Sequence, residues 1–100
     1  MKAMGANPPP PGRAIRLLVD GRSIAVFNHG GALLGVDAKC THVGGPIDQG
    51  PATGTTVTCP WHGSQFDLRT GAVVRGPATR PLKSYQVRVE ADGLVIEPNP

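Results

Sequence analysis

Nine residues, Cys59-Pro60-Trp61-His62-Gly63-Ser64-Gln65-Phe66-Asp67, decide how this chain is read. They open on a cysteine and a histidine at C-x-x-H spacing. An earlier stretch, Cys40-Thr41-His42, repeats the pairing as C-x-H. The chain has two cysteines and three histidines, so these stretches hold both thiols and two of the three imidazoles. Two thiols cannot build a disulfide framework, nor a metal site of cysteine alone. Two thiolates with two imidazoles make a complete donor set. A structural zinc site of that composition normally shows C-x₂₋₄-C followed by H-x₃₋₅-H. Here each stretch offers one donor of each kind. That suits a binuclear iron–sulfur centre, in which one iron takes both thiolates and the other both imidazoles.

Outward from these stretches, the text is short apolar runs broken by turns. Ala14–Val19 and Ser23–Phe27 are joined by Asp20-Gly21, a strong hairpin pair. Asn28–Gly31 is a Gly-rich turn before Ala32–Val36. Thr55–Thr58 is β-branched and leads into Cys59. Gln65–Leu68 and Ala72–Val74 flank the turn Arg69-Thr70-Gly71. Tyr85, Val87 and Val89 alternate with polar residues, which is strand periodicity. Asp92-Gly93 then turns the chain into Leu94–Ile96. About eight short strands, 14 Gly and 11 Pro, and no helical stripe predict an all-β fold of antiparallel sheets. Residues 1–12 contain Pro8 to Pro11 and read as a disordered or polyproline-like arm. Residues 13–100 form the domain.

The 100 residues allow one core. Aromatics are only 4%, so that core is built mainly from Val, Ile, Leu and Ala, with Tyr85 among them. The formal charge of +3 is too mild to argue for nucleic acid. The first residues lack the apolar region of a secretory signal. No apolar run approaches the roughly 20 residues of a membrane helix. The expectation is a soluble, cytoplasmic, monomeric protein with reduced thiols. His29 belongs to no spaced pair and reads as a solvated turn residue.

The motifs C-T-H-V-G-G-P-I (40–47), C-P-W-H-G-S-Q-F-D (59–67), D-L-R-T-G (67–71) and G-P-A-T-R-P-L (76–82) resemble those of Rieske-type [2Fe–2S] ferredoxins. The resemblance runs from about Gly12 to Pro98. It implies a Rieske fold whose small cluster-binding subdomain, about 38–82, is built from two loops. It implies that Cys40 and Cys59 ligate one iron, and His42 and His62 the other, of one [2Fe–2S] cluster per chain. The Pro77–Pro81 stretch corresponds to the proline loop over the cluster. Gly45, Trp61, Gly63, Ser64, Phe66 and Pro77 would surround the ligands. Ser64 would donate to a bridging sulfide. Gly44, Gly45 and Gly63 suit unusual dihedrals or close backbone approach. Respiratory-complex members carry a cysteine pair where this chain has Gly45 and Trp61, and a tyrosine where it has Phe66. One fewer hydrogen-bond donor implies a potential towards the low end of the roughly −150 to +300 mV Rieske range.

The pattern is similar to the ferredoxins of ring-hydroxylating dioxygenase systems. It implies a one-electron carrier, not an enzyme, taking electrons from a flavin reductase and passing them to a terminal oxygenase. The small Rieske subunit of a nitrite reductase is the alternative. A zinc-stabilised, non-redox binding module is a further one. Arg75 and Arg80 flank the proline loop and are candidates for docking an acidic partner.

Overall fold

The computed structural model describes residues 1–42 and 44–99. Ten strands follow in chain order: β1 Lys2–Met4, β2 Ala14–Val19, β3 Arg22–His29, β4 Ala32–Asp37, β5 Ala52–Thr53, β6 Thr56–Thr58, β7 Gln65–Asp67, β8 Val73–Arg75, β9 Ser84–Glu90 and β10 Gly93–Pro98. All pairings are antiparallel. Six strands form a large sheet in the order β1-β10-β9-β4-β3-β2. Four form a small sheet in the order β5-β6-β7-β8. The small sheet is inserted between β4 and β9, which pair with one another. One 3-10 turn, Ile47–Gln49, leads into it. The all-β expectation holds, with the predicted strands recovered to within two residues at their ends.

The turn between β2 and β3 shows why the hairpin forms. Asp20 and Gly21 both have positive φ, 51° and 77°, the geometry that matches the twist of the flanking strands. On β3, Ile24, Ala25, Val26 and Phe27 are all buried, because the large sheet is covered on both faces at this strand. Ile24 and Val26 face one apolar cluster with Val19, Tyr85 and Ile96. Ala25 and Phe27 face the other, which contains Ile47, Val57, Phe66, Leu68 and both cysteines. The second cluster is the seam between the two sheets. The thiols are therefore anchored in the seam, at the base of the small sheet.

Residues 1–12 are not a disordered arm. Lys2–Met4 pairs with β10, Lys2 opposite Val95 and Met4 opposite Gly93. The Ile96 N–H donates to the Met1 carbonyl at 2.8 Å, and Lys2 Nζ lies 2.6 Å from Asp92. The prolines begin only at Pro8, so they leave this strand free to pair. Asn28 Nδ2 then donates to the Pro9 carbonyl at 2.8 Å, which ties the Pro-rich stretch to β3.

Tyr85 is buried as expected, but its hydroxyl is engaged. It donates to Asp37 Oδ1 at 2.6 Å and accepts from Arg22 Nη1 at 3.3 Å. Burial, then the Asp37 carboxylate, pushes the phenol above its ordinary value of 10.0. A raised folded value gives stability that is complete below about pH 10 and lost as pH rises through that folded value. Tyr85→Phe is expected to remove this alkaline loss. It should also cost about 1 kcal/mol at neutral pH, by taking a donor from Asp37. Denaturant midpoints from pH 7 to pH 11 check both effects.

Candidate metal centre

The two Cys/His stretches become two loops of the same construction. In the first, the Cys40 N–H donates to the Gly45 carbonyl at 2.9 Å; in the second, the Cys59 N–H donates to Ser64 at 2.7 Å. Each loop thus closes between residues five apart. Each has glycine at its fifth position in the left-handed region, Gly44 with φ 76° and Gly63 with φ 79°. A side chain there would be strained, which explains the glycines. The histidines sit one position out of step between the loops, and this offset brings their rings together. The centroids of His42 and His62 are 5.5 Å apart and the rings are nearly perpendicular, at 79°. His62 itself has φ 70°, a conformation rare outside glycine and costly unless its surroundings enforce it.

The donors are sorted by depth. Cys40 and Cys59 are 3% and 1% exposed, while both imidazoles are exposed. The two thiols share one buried apolar cluster. Burial pushes the Cys59 thiol up, and the neighbouring Cys40 adds to this. A thiolate pair so placed needs a cation to hold it. A thiol pair below and an imidazole pair above suit two metal ions, one at each level. Gly45 completes the cradle. A Cβ built on it would lie 2.6 Å from Cys59 Sγ and 3.1 Å from Trp61, so only glycine lets the first loop pass this close to the second.

A third segment, 76–82, is pinned to both loops. The Ala78 N–H donates to the Ser64 hydroxyl at 3.0 Å, and Ser64 is fully buried. Thr41 Oγ1 donates to the Arg80 carbonyl at 2.7 Å, and Arg80 Nη2 donates back to the Thr41 carbonyl at 3.4 Å. The Leu82 N–H donates to Gly71 at 2.8 Å. Thr41 is the residue that reading by motif passes over; its position between Cys40 and His42 is the only signal for it. Phe66 is fully buried in the seam. Trp61 is 49% exposed, Pro77 and Arg75 are exposed, and Gly63 is half-buried. His29, at the end of β3, is exposed as expected and lies apart from the two loops.

An all-β module carrying paired thiols beneath paired imidazoles defines a class of small iron–sulfur electron carriers. The comparisons specify it. The family description "Rieske [2Fe-2S] domain" matches residues 3–86, and the chain belongs to that family. It is 32% identical over 97 residues to the biphenyl dioxygenase ferredoxin subunit of Pseudomonas sp. (strain KKS102), covering 96% of this chain and 89% of that one. The structure of the ferredoxin of carbazole 1,9a-dioxygenase from Nocardioides aromaticivorans IC177 superposes with a TM-score of 0.87 at 26% identity, covering 98% of both chains. A chain in a complex of reduced oxygenase and oxidized ferredoxin in carbazole 1,9a-dioxygenase matches with a TM-score of 0.81 at 28% identity, over 96% of this chain and 99% of that one. The protein therefore binds a [2Fe–2S] cluster and is an electron-carrying ferredoxin rather than an enzyme in its own right. No helix among the described residues is long and apolar enough to cross a membrane.

Proposed function

We propose that Cys40 and Cys59 hold one iron of the cluster, and His42 and His62 the other. The chain then carries one electron at a time from a flavin-dependent reductase to a terminal oxygenase, as a cytoplasmic monomer. The observation that carries this reading is the sorting of the donors, thiols buried in the seam and imidazoles at the surface. When bound, the cluster supplies reversible one-electron chemistry. The chain's own residues do the rest. The seam excludes water from the thiolate side. The two closed loops fix the spacing of the four donors. The 76–82 segment, pinned through Ser64 and Thr41, keeps both loops in place. The exposed imidazole edge brings the redox centre to the surface, where a partner can approach it.

The formal charges support a carrier of a single electron. Two ferric ions, two sulfides and two thiolates sum to zero, so reduction takes the centre to one negative charge. Four thiolates would start two charges lower and resist the electron more strongly. The purified protein is expected to be coloured and to give an EPR signal only after reduction. Its visible bands should bleach when a flavin reductase and reduced nicotinamide nucleotide are added, and return when an oxygenase is supplied. A colourless protein containing zinc would overturn the reading.

A further inference from the structure

The formal charge of the chain is not spread over it. Between Ala38 and Lys83 stand five cations, Lys39, Arg69, Arg75, Arg80 and Lys83, and two acids, Asp48 and Asp67. The rest of the chain has five of each sign. The whole +3 therefore belongs to the segment that carries the two loops. Both of its acids are occupied. Arg16 holds Asp48 at 2.9 Å, and Arg69 holds Asp67 at 3.2 Å; the Arg69 hydrogen bonds keep the Asp67 carboxyl below its usual range. Away from the loops, Lys2 and Arg88 pair with Glu90, Asp92 and Glu97. Among the described residues, Lys39, Arg75, Arg80 and Lys83 have no carboxylate within 4.0 Å.

These four free cations stand in or next to the segments that form the site. Lys39 precedes Cys40. Arg80 is fastened to the Thr41 carbonyl, between Cys40 and His42. Arg75 stands opposite Gln65, three residues beyond His62. Lys83 ends the 76–82 segment. All four are exposed. Next to His62, the half-exposed Trp61 offers an apolar face, in a chain that has a single tryptophan. An exposed aromatic with unpaired like charges on neighbouring segments is the composition of a docking patch, an apolar anchor with a polar rim.

We propose that this collar docks a redox protein whose own centre is rimmed by acidic side chains, with Trp61 as the apolar anchor. The proposal rests on the reading that the imidazole edge is where the electron leaves. Opposite charge steers the encounter and orients it, and the advantage fades as salt screens it. The collar survives reduction, since one added electron leaves the protein at about +2.

The test uses the cluster-loaded protein, reduced with dithionite and mixed with two acceptors. Cytochrome b5 has an acidic haem edge and cytochrome c a basic one. Electron transfer to cytochrome b5 is expected to slow by about tenfold as salt rises from 20 to 300 mM, while transfer to cytochrome c does not slow. Arg75→Glu with Arg80→Glu should slow the low-salt rate to cytochrome b5 by about tenfold and abolish its salt dependence. Arg80 also touches Thr41, so Arg75→Glu with Lys83→Glu provides a second reversal that leaves this contact intact; the same loss is expected. Coloured protein with rates indifferent to salt and to charge reversal would overturn the collar and leave the electron-carrier reading standing. Protein that is colourless from the outset would overturn both.

Discussion

Cys59→Ser is expected to give colourless protein with no iron retained. Cys59 is 1% exposed and buried in the seam with Cys40, so no other side chain can reach its position to replace it. A serine hydroxyl is a harder and far less acidic donor than a thiol and does not hold the soft iron–sulfur unit at neutral pH. The effect on function is total, because the chain has no other redox group. The effect on the fold is graded. Cys40 and Cys59 belong to the apolar seam, whereas the cluster of Ile24, Val26, Tyr85 and Ile96 contains neither. The large sheet should therefore keep its strand signature by circular dichroism. The midpoint of unfolding should fall, since two loops lose the metal that closes them. Iron analysis beside the visible spectrum is the measurement. Retention of one cluster per chain would remove Cys59 from the donor set.

Gly71→Ala is expected to destabilise the protein by at least about 3 kcal/mol, in the range where a domain of this size becomes partly unfolded. Gly71 has φ 80°, where alanine is strained by about 1–2 kcal/mol. A Cβ built there would also collide with the carbonyl of Leu82. That carbonyl cannot retreat freely. The Leu82 N–H is already given to Gly71, and the Gly71 N–H to Asp67 at 2.7 Å. The substitution thus pries the 76–82 segment from the small sheet. It should loosen the cluster as well as the fold, so cluster loss on mild heating should precede global unfolding. Equal denaturant midpoints for the variant and the parent would contradict this packing of Gly71 against Leu82.

The cofactor was legible because the Cys/His pairs and the motifs around them lie in short stretches that resemble a known family. The strands that alternate or end on Asp-Gly were legible for the same local reason. What escaped is long-range. β1 is three residues whose partner lies some ninety residues away, and nothing in Lys2–Met4 marks it as a strand. β5 is two residues between Pro51 and Gly54, too short for periodicity. The bonds between Thr41 and Arg80 join positions 39 apart, so neither residue announces the other. The left-handed backbone of His62 is likewise set by the closing of its loop and not by residue type. Tyr85 reads correctly as core, but its tie to Asp37 and Arg22 depends on how three strands meet.

The sorting of thiols inward and imidazoles outward gives the molecule a single doorway. The body measures 39 × 27 × 22 Å, and electron tunnelling favours the shortest route to the surface, which on the proposed ligand set is the imidazole edge. A donor and an acceptor that both need that edge cannot occupy it together. On this proposal the protein lets go of one before meeting the other, working as a ferry and not as a wire. Its traffic is then limited by how quickly each complex comes apart, and a variant that grips either partner more tightly should carry fewer electrons per second.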